Sequence, residues 1–123
     1  MCKAKIFSLA FLLLFTLHLT AKDYKVSDFD AKADGITVNT CSIQKAIDYI
    51  NENGGGRLIF EAGNYVTGSI YLKSNVTLHL NDGSTLLGST NPFDYEKNKR
   101  VGWMSMIFAI DQENIGITGK GTI

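Results

Sequence analysis

The sequence predicts an all-β fold: a single-stranded parallel β-helix, first rungs only, with a capping α-helix at its N-terminal end. A unit of similar sequence begins at Asn75 and again at Asn114, 39 residues later. Recurrence of this kind is typical of stacked repeats, which bury their apolar faces against one another. One helical pattern precedes these units, and the segments after it are short and strand-like. A chain of 123 residues is at most one ordinary domain.

Residues 1–21 have the pattern of a secretory signal peptide. Lys3 and Lys5 precede an uncharged apolar run that ends at Leu19. This run is shorter than the ~20 apolar residues that span a bilayer. We therefore expect cleavage after Ala21 and a secreted or periplasmic chain, with residues 22–123 forming the N-terminal portion of a β-helix domain and no membrane partner after cleavage.

The charge balance gives no reason to expect nucleic acid as a partner. The whole chain carries 12 basic and 12 acidic residues, and the leader contains two of the lysines, so the mature chain is mildly acidic. Nucleic acids and anionic membranes attract basic surfaces instead. One histidine and one cysteine remain after residue 21, too few for a usual zinc site. We expect a monomer without a cofactor or metal.

One α-helix is predicted over about residues 41–53. Its apolar residues recur at i, i+3, i+4 and i+7 and form one stripe: Ile43, Ala46, Ile47 and Ile50. Asn39 or Thr40 is expected to cap the first turn, and the glycines at 54–56 to end the helix. The open end of a β-helix exposes an apolar cross-section, and this stripe is suited to covering it.

Strands are predicted from about residue 57 onward. The segment 76–80 alternates apolar and polar side chains, as a half-buried strand does. A doubly wound βαβ sheet needs a helix at every crossover, and none is predicted here. A β-sandwich of hairpins remains possible, although Asp82-Gly83 is the sole two-residue hairpin turn of the usual type. In a β-helix, Asn75 and Asn114 would tolerate left-handed geometry and stack their amides.

Three stretches carry a resemblance to a known family: residues 28–48, 68–89 and 114–123. The second contains Gly-Ser-Ile-Tyr-Leu-Lys-Ser-Asn-Val-Thr-Leu, and the third reads Asn-Ile-Gly-Ile-Thr-Gly-Lys-Gly-Thr-Ile. Together they resemble the N-terminal part of glycoside hydrolase family 28, the polygalacturonase family. The first stretch is shared with other exported β-helix proteins, including pectate-lyase-like enzymes and phage tailspikes.

The resemblance implies a right-handed, pectin-lyase-like β-helix that hydrolyses galacturonic acid linkages in pectin with inversion. Inverting hydrolysis requires two carboxyl groups ~6.5–9.5 Å apart. In this family they come from an Asn-x-Asp motif and an Asp-Asp pair, assisted by Gly-His-Gly and Arg-x-Lys motifs, and none of the four occurs in this sequence. No catalytic residue can be assigned. We expect an N-terminal fragment that is inactive by itself.

An insertion at residues 88–105 interrupts the strand pattern and contains the candidate substrate-binding residues. Lys99 and Arg100 would pair with uronate carboxylates, and Trp103 would stack on a sugar ring. The alternative is a solvated loop with Trp103 folded back onto the rungs. His79 is expected to be a surface side chain. Two other function classes stay open: a pectate-lyase-like or tailspike-like depolymerase, and a non-catalytic carbohydrate-binding β-helix.

Overall fold

The computed structural model describes residues 22–97 and 104–123. All pairings between its named strands are parallel, and they form three sheets in the orders β1-β3-β6-β9, β2-β4-β7 and β5-β8. The strands are β1 Asp23–Lys25, β2 Asp34–Val38, β3 Gly56–Phe60, β4 Gly63–Thr67, β5 Ile70–Tyr71, β6 Val76–Leu80, β7 Ser84–Gly88, β8 Ile107–Phe108 and β9 Gly116–Gly119. The predicted parallel β-helix is confirmed.

Two successive rungs of the β-helix contribute one strand to each of the three sheets, whereas β1 and β2 precede them in two sheets and β9 follows them in one. The strands β3, β4 and β5 form one rung, and β6, β7 and β8 form the next, directly stacked on it. Register brings like residues into line, so that Leu58 pairs with Leu78 and Leu78 pairs with Ile117. Leu58 and Leu78 are fully buried inside the helix. Ile117 is 44% exposed because β9 has a neighbour on one side only among the described residues.

The α-helix α1, Thr40–Glu52, follows β2 and packs its apolar stripe into the core. The four stripe residues are fully buried. Positive φ angles at the three following glycines end the helix, as predicted. Among the described residues, no helix combines the length and the apolar character that crossing a bilayer would require.

The predicted capping of α1 by Asn39 or Thr40 is wrong. Asn39 precedes the first turn, but its buried amide binds the backbone of Lys32 instead, accepting from Lys32 N at 2.8 Å and donating to Lys32 O at 2.9 Å. Thr40 Oγ1 accepts from Gly68 N at 2.8 Å. Both side chains therefore satisfy backbone groups of other segments, because a buried N–H or C=O without a partner costs more than an uncapped helix end near solvent.

The asparagine ladder is present as predicted. Asn75 and Asn114 have φ angles of 67° and 54°, and Asn114 Nδ2 donates to Asn75 Oδ1 at 3.0 Å. Gly55 occupies the equivalent position one rung earlier, also with positive φ. A Cβ at Gly55 would lie 2.6 Å from Asn75 O, so the ladder begins with a residue that has no side chain.

Candidate functional site

The insertion between β7 and β8 departs from the regular rung, and its described part is held in a defined shape. It begins with a 3₁₀ turn at Pro92–Asp94, where Asn91 Oδ1 accepts from Phe93 N at 3.0 Å. Farther along, Lys97 and Met104 form an antiparallel bridge. The described residues on either side of 98–103 are thus paired with each other.

Ser69 anchors both arms of the insertion to the start of β5. Ser69 is buried, its N–H donates to Asp94 O at 3.3 Å, and its Oγ accepts from Glu96 N at 2.9 Å. The same hydroxyl donates to Ser105 O at 2.7 Å. Because one buried serine contacts the outgoing and the returning arm, the position of the insertion is fixed by the rung beneath it.

Aromatic hydroxyl groups add two further anchors. Tyr95 donates to Ser89 O at 2.7 Å, and Tyr71 donates to Glu96 Oε2 at 3.0 Å. The Tyr71 ring stacks on Phe108, its register partner in β8, with ring centroids 5.2 Å apart and planes at 16°. The side of the β5-β8 sheet nearest the insertion is therefore aromatic and tied to it by a hydrogen bond.

A cleft of about 590 Å³ opens between this insertion and the junction of β2 with α1. It is lined by Val38, Thr40, Cys41, Ser69 and residues 93–97. The Phe93 ring, 93% exposed, stands at this cleft. A smaller pocket of about 320 Å³ borders the same insertion and is lined by Ser89, Thr90, Pro92, Tyr95 and Met104. Such concave, partly apolar surfaces are where small ligands bind.

Comparison with known proteins identifies relatives of this chain. It is 40% identical to exo-poly-α-D-galacturonosidase from Dickeya chrysanthemi, over 88% of this chain and 20% of that protein. A provisionally assigned glycosyl hydrolase from Parabacteroides merdae superposes with a TM-score of 0.75 at 50% identity, covering 80% of this chain and 42% of that one. The family 28 exopolygalacturonase from Yersinia enterocolitica superposes with a TM-score of 0.69 at 39% identity, covering 81% and 20%. No protein-family model matches the chain.

The chain is a relative of the family 28 polygalacturonases. The resemblance carried by the three stretches is thereby confirmed, and so is the β-helix fold that it implies. The 123-residue chain spans about a fifth of the length of the Dickeya and Yersinia proteins, and less than half of the Parabacteroides chain.

The substrate-binding residues predicted from the sequence of this chain lie outside the described residues. Lys99, Arg100 and Trp103 fall within 98–103, so their role stays a prediction. Sequence reasoning missed Phe93, which the structure presents at the cleft. The Asn91-Pro92 turn signal before it would have marked the position as a fixed turn, although it does not reveal which way the ring faces.

The two carboxylates in the cleft each accept a hydrogen bond from a neighbouring hydroxyl group. Asp94 accepts from the Ser89 hydroxyl, and Glu96 accepts from the Tyr71 hydroxyl. No group of His, Cys, Asp and Glu side chains within 22–97 and 104–123 is placed to hold a metal ion. His79 lies on β6, where its Nδ1 forms a 2.7 Å hydrogen bond with Thr118 Oγ1, one rung along the outer face.

Two carboxyl groups and one tyrosine among the described residues have shifted pKa values. Hydrogen bonds from the Thr37 hydroxyl and from the Thr37 and Ile36 N–H groups lower the pKa of Asp34 to about 2. The Arg57 guanidinium forms a bidentate pair with Asp23, with both N–O distances 2.8 Å, and lowers the pKa of that carboxyl. Burial raises the pKa of Tyr65, which donates to Glu61 O. Each of these three shifts has a structural cause.

Proposed function

We propose that this chain is the N-terminal part of a secreted polygalacturonase-like glycoside hydrolase that acts on pectin by inverting hydrolysis. The observation that carries the proposal is 40% identity to an exo-poly-α-D-galacturonosidase across 88% of this chain. The helix-capped first rungs support it, because stacked-repeat folds require a specialised end unit before the regular rungs.

The proposal assigns catalysis to no residue in this chain. An inverting hydrolase needs one carboxyl group as acid and a second as base, with space between them for water. The Asn-x-Asp and Asp-Asp motifs that supply these groups in the family are absent from all 123 residues. We therefore propose that the chain alone is inactive and that it supplies the cap, the first rungs and the insertion.

The insertion is where this segment would contact a uronate polymer. Lys99, Arg100 and Trp103 lie between the paired positions Lys97 and Met104. Cations there would pair with carboxylates of the substrate, and an indole would stack on a pyranose ring. The anchoring of both arms by Ser69 supports this role, since a loop that binds substrate must keep its position during turnover.

A chimera tests the proposal directly. Residues 22–123 would replace the corresponding N-terminal region of the Dickeya exo-poly-α-D-galacturonosidase, with that enzyme as the positive control. We expect the chimera to release reducing sugar from polygalacturonate and this chain alone to release none. Product anomers followed by NMR at early times would report inversion.

Three results would contradict the proposal. A chimera that folds, as judged by circular dichroism, but has no activity would show that this segment does not serve in such an enzyme. Hydrolysis by this chain alone would contradict its assignment as a non-catalytic part. An unsaturated product would favour the lyase class instead. Export is tested separately by fusing residues 1–21 to a reporter and measuring its appearance outside the cytoplasm.

A further inference from the structure

Phe93 is an exposed aromatic ring on a backbone that cannot readily turn it inward. Pro92 fixes φ at the first position of the 3₁₀ turn, and Asn91 Oδ1 accepts from Phe93 N at 3.0 Å. On the other side, the carbonyl of Asp94 accepts from Ser69 N, and Tyr95 N donates to Pro92 O. The ring remains 93% exposed. Hydrogen bonds of the turn backbone thus fix the position of a side chain that is exposed to solvent and contributes little to the core.

A single exposed apolar side chain is ordinary on a protein surface. Phe93 differs because it stands at the cleft of about 590 Å³, with half-exposed Val38 as a second apolar lining residue. Thr40 and Ser69 line the cleft as well. An aromatic face beside hydroxyl and carboxylate groups is chemically matched to a sugar, which has an aliphatic C–H face and a rim of hydroxyl groups.

The charges of the cleft decide which kind of sugar it accepts. Asp94 and Glu96 contribute two carboxylates, and Lys97 contributes one ammonium group. A uronic acid would place a third carboxylate beside these two, and like charges at short range repel each other. A neutral pyranose brings no charge and offers hydroxyl hydrogens, for which carboxylates are strong acceptors.

Both carboxylates are oriented before any ligand arrives. Asp94 Oδ2 is bound by the Ser89 hydroxyl, and Glu96 Oε2 is bound by the Tyr71 hydroxyl at 3.0 Å. Each group keeps a second oxygen with acceptor capacity. Fixing an acceptor through one oxygen reduces the ordering cost of binding a ligand through the other.

We propose that this cleft binds a neutral pyranose, with the aliphatic face of the sugar on Phe93 and its hydroxyls hydrogen-bonded to Asp94 and Glu96. The site is additional to the function proposed above, in which Lys99, Arg100 and Trp103 contact galacturonate. It equips the chain to hold an uncharged sugar of a mixed polysaccharide, and it does not depend on hydrolysis.

Two ligands that differ at one carbon test the proposal: methyl galactopyranoside and methyl galacturonide. NMR titration of the full chain would measure the dissociation constant of each. We expect tighter binding of the neutral glycoside, and a loss of about three- to tenfold for Phe93→Ala, as one aromatic contact predicts. Ile36→Ala is the matched control, because Ile36 is 82% exposed on β2 and does not line the cleft.

A second variant tests the charge argument without removing an acceptor. Glu96→Gln keeps an oxygen for the Tyr71 hydroxyl and removes one negative charge, so the preference for the neutral glycoside should narrow. Equal or tighter binding of the galacturonide by the parent chain would overturn the proposal, and so would undiminished binding by Phe93→Ala or no binding of either glycoside. These results are separable from the chimera assay, which reads hydrolysis of polygalacturonate.

Discussion

The side-chain amide of Gln44 binds both backbone polar groups of Tyr71. Tyr71 N donates to Gln44 Oε1 at 2.8 Å, and Gln44 Nε2 donates to Tyr71 O at 3.0 Å. Tyr71 lies in β5, whose other edge pairs with β8. A glutamine on α1 therefore supplies the two hydrogen bonds that a preceding strand would give, and closes an edge that would otherwise be free to pair with another chain.

Removing this amide should destabilise the chain. Gln44→Ala removes both of these hydrogen bonds to the Tyr71 backbone in a partly buried position, so we expect the free energy of unfolding to fall by about 1–3 kcal/mol. Lys45→Ala, on the exposed face of the same helix, is the control and should change stability by less than about 0.5 kcal/mol. Urea denaturation followed by circular dichroism measures both.

Gln44→Glu separates the two hydrogen bonds. A carboxylate still accepts from Tyr71 N but can donate neither to Tyr71 O nor to Asp48 Oδ1, which accepts from Gln44 Nε2 at 3.0 Å, so we expect Gln44→Glu to be less stable than the parent near neutral pH. Equal stabilities for Gln44→Ala and Lys45→Ala would contradict the edge-closing role of Gln44.

Local patterns in the sequence were sufficient for the helix and for several strands of the fold, but not for β2 and β4, whose first residues, Asp34-Gly35 and Gly63-Asn64, have the composition of turns. The apolar stripe of α1, the alternation in β6 and the recurrence of Asn75 at Asn114 depend on neighbouring residues or on the repeat itself. The contact between Gln44 and Tyr71 joins residues 27 positions apart and has no local signature. Asn39 shows the same limit of local patterns. A capping rule considers one helix end only, whereas the Asn39 side chain forms its hydrogen bonds with the backbone of Lys32.

The sequence predicted where the candidate site lies, at the insertion, but it did not predict all the side chains that line the cleft. The polar insertion marks where the rungs are interrupted, and the structure places a cleft beside it. The direction of Phe93 depends on Ser69, a residue about 24 positions earlier whose hydroxyl anchors the insertion. No sequence pattern connects the two. The roles of Lys99, Arg100 and Trp103 remain predictions.

The left-handed backbone conformation of Asn75 predicts how substitutions at this position of the asparagine ladder change stability. Asn75→Ala places alanine, which lacks a side-chain amide, at a φ angle of 67° and removes the hydrogen bond to Asn114. We expect the free energy of unfolding to fall by about 1–2 kcal/mol. Asn75→Gly removes the same bond but adopts positive φ without strain, so it should lose less. Urea denaturation would compare them. Equal losses would show that the side-chain bond, and not the backbone conformation, sets the requirement for asparagine.

The lowered pKa of Asp34 predicts that part of the stability of the fold is lost in acid. Its pKa is about 2 because the Thr37 hydroxyl and two backbone N–H groups bind the carboxylate. A carboxyl group in an unfolded chain has a pKa of about 3.9. The folded pKa is the lower one, so the stability contributed by Asp34 is fully present above about pH 4 and is lost as the pH falls toward 2.

The variant Asp34→Asn isolates this contribution. Asparagine does not titrate and can still accept from the N–H groups of Ile36 and Thr37, so the parent chain should exceed the variant in stability at pH 5 by more than at pH 2. Urea unfolding at several pH values measures the difference, and other carboxyl groups such as Asp23 cancel in it. A difference that is constant with pH would contradict the assigned cause of the pKa shift.

Gly68 lies where the insertion meets the rung beneath it, and this contact leaves no room for a side chain. A Cβ at Gly68 would clash with the carbonyl oxygen of Asp94. Gly68→Ala should therefore displace the turn that carries Phe93, with a loss of about 1–3 kcal/mol from overpacking. Gly116→Ala is the matched control, since its Cβ would meet Thr77 Oγ1 at an ordinary 3.5 Å. Amide chemical-shift changes at residues 89–97 in Gly68→Ala, in addition to those next to the substitution, would support this contact, whereas equal stability of the two variants would show that the insertion moves without cost.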